Sequence, residues 1–381
     1  MSLTVNVSSY ISSLCYSVLR VEPYTSCSYS CMYCYAKWYR NMDIVKPNYD
    51  FIGEFKRCVL KLRELKLKTI PFRMATLVDP FQPIEYKYRV SRYVLKICLE
   101  NSIPLILNTK SIAYTWRAWF KLISELSSKG LLLLQVTIVT PSDKISRVVE
   151  PNAPTTSERL KAIEKTLSEN IPVVVRYQPL IPGASDIDSV RDLFSQFKAL
   201  GIKQVIVESI RCLEDDILFL KGVLESRDVY DSVWETYALE NEVESKLRRP
   251  PLKWRLEIFK TIRDLAERFN IDFATCKEGL FSLHTAKNCC GIHLIDEEKY
   301  VLRPTLYEAW IIYKKTGKLP YYDEIISKYG GEKYIYGEKL KAYPRALRRG
   351  LKAHEKKLAK ILIDERIVKH IAPSLSSKGA I

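Results

Sequence analysis

The run LCYSVLRVE (14–22), followed at once by PYTSCSYSCMYC (23–34), decides how this chain is read. A short, mostly apolar segment there gives way to a loop that carries Cys27, Cys31 and Cys34. Runs of the same kind recur at FRMATLVD (72–79), IPLILNT (103–109), LLLLQVTIVT (131–140), IPVVVRYQP (171–179) and KQVIVES (203–209). Amphipathic stretches separate them. In the first, Phe51, Phe55, Cys58 and Leu62 share one helical face, as Val90, Val94 and Ile97 do in the second. Thr155 and Glu158 form the Thr-x-x-Glu capping box that opens another helix. Apolar strands alternating with helices at roughly 30–40-residue intervals predict an α/β fold, a parallel sheet covered by helices. Six units, with IDFATC (271–276) as the option on a seventh strand, fit a partial or full (β/α) barrel, and a doubly wound open sheet is the runner-up. No GxGxxG and no GxxxxGKS/T follows any strand, which removes dinucleotide and P-loop nucleotide sites.

Working outward, the segment 213–269 reads as helical with a break at Arg249-Pro250-Pro251. After about 296 the strand rhythm stops. The expected layout is a barrel over 1–295, with a Cys-rich segment at 276–290, and a basic, Tyr- and Lys-rich, mostly helical extension over 296–381. The whole chain is 381 residues, 47% hydrophobic, which is enough for a substantial core. Neither a membrane span of ~18 unbroken apolar residues nor a secretory signal is present, so the expected location is cytoplasmic. The net charge is +16. Nine Lys/Arg against one Glu between Lys339 and Lys360 place half of that excess in 22 residues. Such clustering favours a polyanion-docking surface over an evenly solvated one.

Ten cysteines in a chain of this character call for a chemical explanation other than disulfides. Cys27, Cys31 and Cys34 fall within eight residues of one loop, and no fourth Cys or His lies nearby in sequence. A structural zinc site and a ferredoxin-type cluster both want four ligands. Three ligands leave one iron of a cluster open for a substrate or cofactor.

The Cys-x3-Cys-x2-Cys spacing, with Tyr33 before the last cysteine, resembles the signature of radical S-adenosylmethionine (SAM) enzymes. The resemblance implies a radical SAM partial (β/α)6 TIM-type barrel. It implies a [4Fe–4S] cluster on the three cysteines, with SAM chelated to the open iron. Reductive cleavage then yields a 5′-deoxyadenosyl radical that abstracts hydrogen from a substrate. Pro23-Tyr24-x-x-Cys27, Cys31-Met-Tyr-Cys34-Tyr35-Ala36, Asp79-Pro80-Phe81-Gln82-Pro83-Ile84-Glu85, Thr109-Lys110-Ser111, Glu150-Pro151-Asn-Ala-Pro154 with Arg159, and Pro179-Leu-Ile-Pro182-Gly183 are similar to motifs of the spore photoproduct lyase-like, DNA repair photolyase-related branch. Each stands at a strand's end, in the branch's order, between about 20 and 210. By that resemblance Tyr33, Asp79, Lys110, Thr137 and Arg159 are the SAM-binding candidates. Two departures stand out: the Gly-Gly-Glu usual after the second strand is absent, and so is the second-strand cysteine that spore photoproduct lyases use to return hydrogen to the base. Cys212, after the sixth strand, is the candidate replacement thiol at the barrel mouth, the other reading being a buried, reduced core thiol.

Cys15, Cys58 and Cys98 read as small core hydrophobes. Cys276, Cys289 and Cys290, in a segment that also holds His284 and His293, read either as ligands of an auxiliary iron–sulfur cluster or zinc, or as reduced thiols. The substrate expectation is DNA or RNA docked on the basic tail, with an electron donor such as a ferredoxin or flavodoxin as second partner. The alternatives are a radical SAM enzyme acting on a peptide or small molecule, a non-catalytic iron–sulfur nucleic-acid-binding protein, and a zinc-binding adaptor.

Overall fold

The computed structural model describes residues 2–7, 10–39, 44–185, 187–224, 227–239, 242 and 244–376. The end of the tail therefore lies outside the described residues. Each of the seven runs contributes a strand. They are β1 (Arg20–Val21), β2 (Phe72–Met74), β3 (Leu105–Thr109), β4 (Leu132–Ile138), β5 (Val173–Leu180), β6 (Gln204–Ser209) and, after an intervening ribbon, β9 (Asp272–Thr275). They pair in parallel in the order β1-β2-β3-β4-β5-β6-β9. Sequential neighbours in one parallel sheet, each joined by a helical crossover, give the α/β architecture expected, with the seventh strand included. The first run forms less strand than its apolar character suggested. Only Arg20–Val21 pairs, and Tyr10–Leu14 instead winds a short 3-10 helix.

β4 is buried at every position, because one of its faces meets helices and the other meets the barrel interior. The helix Tyr49–Glu64 buries Phe51, Phe55, Cys58 and Leu62, and Val90–Glu100 buries Val90, Val94 and Ile97. Thr155 caps Thr156–Ser168 through the reciprocal box read from the sequence.

The inward face is layered by the two-residue strand period. Ile106, Leu133, Val174 and Ile206 form an apolar floor together with Cys290 and Ile292. Two residues further along each strand come Asn108, Gln135, Arg176 and Glu208. Two beyond those come Lys110, Thr137, Gln178 and Ile210, at the mouth.

The segment 213–269 departs from its helical reading. Helices Glu214–Val223 and Leu252–Arg268 are present, but between them β7 (Glu235–Thr236) and β8 (Arg248–Arg249) pair as an antiparallel ribbon. Arg249 is drawn inward there, beside Glu235, and a helix cannot make that turn.

The tail is helical at Leu306–Thr316, Tyr322–Tyr329, Arg345–Leu362 and Glu365–Ile371. It shares its cores with the rest of the chain. Leu347 and Leu351 join the main core, and Ile361, Ile367 and Ile371 pack with Ile11, Leu14 and Phe281. No helix among the described residues is long and apolar enough to cross a membrane.

Candidate active site

The loop after β1 is held from three sides. Ser28 N–H donates to Gln82 Oε1 at 2.8 Å, and Gln82 Nε2 donates to the Ser26 carbonyl at 2.9 Å. Met32 N–H reaches the Val149 carbonyl at 2.9 Å, and Tyr35 OH donates to the Thr76 carbonyl at 2.5 Å. The conformation that presents the cysteines is thus fixed by residues from the β2 and β4 ends, not by the loop alone.

Cys27, Cys31 and Cys34 border one cavity of about 40 Å3, with Ser26, Ser30, Lys37 and Leu77. Burial and the Asp79 carboxylate raise the Cys27 thiol to about 11, while backbone N–H groups of Tyr29 and Asp79 bond its sulfur and work the other way. Burial also raises Cys31, against the pull of Lys110. Thiols held up in this way gain from a cationic centre that replaces their protons. Among the described residues no three His, Cys, Asp or Glu side chains converge closely enough for a single metal ion. Three thiols ringed about a cavity with no fourth ligand suit a polynuclear centre with one open position better than zinc. The residues present fit a [4Fe–4S] cluster.

The five expected SAM-binding residues stand together but differ in what they are free to do. Lys110 lies at the barrel mouth with its Nζ 5.8 Å from the centroid of the Tyr33 ring. Burial works against its charge, yet Cys31, Glu150 and Asp79 outweigh that and raise its pKa. Thr137 lies on the same inward face of β4 and is buried. Asp79 is engaged locally: its carboxylate accepts from Thr109 Oγ1 at 2.9 Å, Lys110 N–H at 2.6 Å and Phe81 N–H at 3.0 Å. It ties the end of β2 to the end of β3. Arg159 has no exposed surface; its Nη2 pairs with Glu150 at 2.5 Å and its Nη1 donates to the Thr137 carbonyl at 2.9 Å. Tyr33 OH bonds the other Glu150 oxygen. Tyr33, Glu150 and Arg159 therefore form a buried brace from the cysteine loop to β4. Arg159 is thus engaged with Glu150 and the Thr137 carbonyl, and Asp79 with the ends of β2 and β3, its carboxylate near enough to Cys27 to raise that thiol.

Cys212 is buried in the cluster that holds Cys31 and Tyr33 of the cysteine loop together with Leu220, Tyr230 and Trp234, and its backbone bridges to Arg248. Cys15 lies just ahead of β1, not within it, and lines an inner cavity.

That inner cavity, about 160 Å3, adjoins the thiol cavity, and Leu77 lines both. Five cations line it, Arg20, Arg73, Arg176, Arg211 and Lys277, against the single carboxylate of Glu244. The Arg211 guanidinium stands 4.2 Å from the Tyr35 ring centroid and 4.7 Å from that of Tyr237, and 3.4 Å from Glu208. Sequence reasoning passed over these cations. The signal was available in Arg73, Gln135 and Arg176, polar residues set within strands that are otherwise apolar on both faces.

An outer groove of about 660 Å3 shares Val5, Asn6 and Arg20 with the inner cavity and continues to Arg345 and Arg349. It follows the tail helix whose apolar side buries Leu347, Leu351 and Leu358.

Residues 21–195 match the family model described as the radical SAM superfamily. An uncharacterized protein of Acidianus two-tailed virus is 23% identical over 242 residues, 58% of this chain and 73% of that protein. A Pseudomonas phage M6 protein named radical SAM Nalpha-GlyT isomerase is 21% identical over 277 residues, 69% of this chain and 55% of its own length. Among solved structures, spore photoproduct lyase complexed with dinucleoside spore photoproduct superposes with a TM-score of 0.52 at 14% identity, over 69% of this chain and 78% of that one. A variant of that enzyme with bound AdoMet and the same lesion gives 0.53 at 13%, over 72% and 78%. At such identities these structures show a shared fold.

Proposed function

We propose that this chain, whose residues 21–195 match the radical SAM superfamily model, takes a hydrogen atom from an anionic substrate, a nucleic acid, seated in the cation-lined barrel cavity. Cys27, Cys31 and Cys34 would hold a [4Fe–4S] cluster and Lys110 and Thr137 would face SAM. When bound, these groups supply the electron and the carbon radical that the protein's own side chains cannot. The chain's contribution is placement. The Tyr33–Glu150–Arg159 brace fixes the cysteine loop against β4, and Asp79 fixes the Lys110 backbone. An external one-electron donor is the second partner.

The observation that carries the substrate class is the set of five cations in the inner cavity, continuous through Arg20 with the groove beside Arg345 and Arg349. Guanidinium forks and aromatic faces are the groups that hold phosphates and bases. The dinucleoside lesion bound in the lyase structures is of that class. The second-strand cysteine is missing, so thymine-lesion repair by the lyase's route is not the reading advanced.

Anaerobically reconstituted protein with dithionite and SAM should form 5′-deoxyadenosine, and Cys31→Ala should lose both the cluster iron and that product. A fully loaded protein that leaves SAM intact overturns the enzyme reading. DNA or RNA should bind, more weakly as salt rises. Salt-independent or absent binding transfers the substrate to the peptide or small-molecule class.

A further inference from the structure

The floor of the inner cavity holds four of the ten cysteines. Cys15 comes from the segment ahead of β1, Cys276 from the end of β9, and Cys289 and Cys290 from the loop that plugs the barrel from below. Cys289 Sγ lies 3.7 Å from Cys290 Sγ; the Cys15 thiol donates to the Ser17 carbonyl at 3.4 Å, and its neighbour Cys290 helps raise it. Cys15 and Cys276 both line the cavity.

The surroundings are built for sulfur that carries charge. Arg73 Nη2 is 3.8 Å from Cys290 Sγ, and Arg176 Nη2 is 3.8 Å from Cys276 Sγ. Both guanidiniums are anchored on one acceptor, Gln135 Oε1, at 3.0 and 2.9 Å. The plug loop is fixed with equal care. Gln135 Nε2 donates to the Cys290 carbonyl at 2.6 Å, and Gln204 Nε2 donates to the Asn288 and Cys289 carbonyls at 3.0 and 3.3 Å. Gly291 adopts φ +73°, and a Cβ there would meet Val174 Cγ2 at 2.8 Å, so only glycine lets the loop press this far into the barrel. Core thiols need none of this: Cys58 and Cys98 are buried on apolar helix faces.

We propose that Cys15, Cys276, Cys289 and Cys290 ligate a second iron–sulfur cluster on the barrel floor, bordering the substrate cavity. Four thiolates are the ligand set of such a cluster. Ligation replaces the four thiol protons by iron, and Arg73 and Arg176 answer the negative charge left on the sulfurs. One zinc ion on the same four thiolates is the alternative that the sulfide count separates. The assignment adds Cys15, a residue 261 positions from Cys276, to the three cysteines that their sequence proximity singled out. It takes Arg73 and Arg176 for the cluster and leaves Arg20, Arg211 and Lys277 to the substrate.

The test removes the first site and asks what remains. The variant Cys27→Ala/Cys31→Ala/Cys34→Ala, reconstituted anaerobically with ferrous and ferric iron and sulfide, should retain about four iron and about four sulfide per chain. On reduction it should give an iron–sulfur electron paramagnetic resonance signal. Adding Cys276→Ser and Cys290→Ser should remove both. A triple variant that melts like the native protein yet binds no iron overturns the proposal, and so does one zinc per chain without sulfide. Should the triple variant fail to fold, the native chain decides: about eight iron per chain supports the second cluster, and about four overturns it.

Discussion

His354 is a neutral imidazole held where charge is unwelcome. It has no exposed surface, its Nε2 donates to the Val5 carbonyl at 3.2 Å, and burial together with Arg303 pushes it from 6.5 down to about 3. The unfolded chain therefore takes up a proton near pH 6.5 that the folded chain refuses. The stabilisation is complete above that pH and is lost as pH falls toward 3. One such group costs about 2 kcal/mol between pH 7 and pH 5. Urea denaturation at the two pH values should show that loss, and His354→Gln should flatten the dependence. Arg159 is the counter-example among buried polar groups. It keeps its charge, because Glu150 and the Thr137 carbonyl answer it on two sides. The sequence offered His354 no role, and for Arg159 only a motif match. Which buried group stays neutral and which is paired depends on neighbours tens to hundreds of positions away.

At the scale of elements, the tail helix Arg345–Leu362 shows how a charge count becomes a surface. Its apolar residues repeat at Leu347, Leu351, Leu358 and Ile361, all buried, which turns Arg345, Arg349, Lys356 and Lys360 outward. Gly350 lets the N-terminal segment close against it, since a Cβ there would meet Thr4 Oγ1 at 2.1 Å. The resulting groove carries Arg345 and Arg349 toward Arg20 and the cavity. If these two arginines contact phosphates, Arg345→Ala/Arg349→Ala should reduce the slope of log affinity against log salt by about 1.5, at 0.7–0.9 per phosphate contact. An unchanged slope in a titration series would place the nucleic acid elsewhere. The periodicity that builds this helix was legible in the sequence. Its position beside the N-terminal segment was not, because helical periodicity specifies a face to be buried without specifying its partner.

At the scale of the whole molecule, the tail and the barrel are locked at Gly279. Its φ is +65°, and a Cβ there would lie 2.1 Å from the Ile371 carbonyl oxygen and 2.3 Å from the Ala372 Cα, both backbone atoms. Nearby, Ser374 N–H bonds the Gly279 carbonyl at 3.2 Å. Gly279→Ala should destabilise the fold by about 2–4 kcal/mol, from the strained φ and the forced separation together. A thermal melt unchanged by that substitution would mean the tail docks in some other way.

The sequence by itself determined the strand–helix alternation, with the seventh strand only as an option, the loop position of Cys27, Cys31 and Cys34, and the capping at Thr155. These rest on periods of two and 3.6 residues and on short-range spacing, which local chain geometry dictates. Only the tertiary structure decided that Cys15 and Cys276 line one cavity, that Cys212 packs beside Tyr230 and Trp234, and that Arg73, Arg176, Arg211 and Lys277 meet in that same cavity. A parallel sheet brings residues 30 to 100 positions apart onto one face, and no local signal records which of them will converge there.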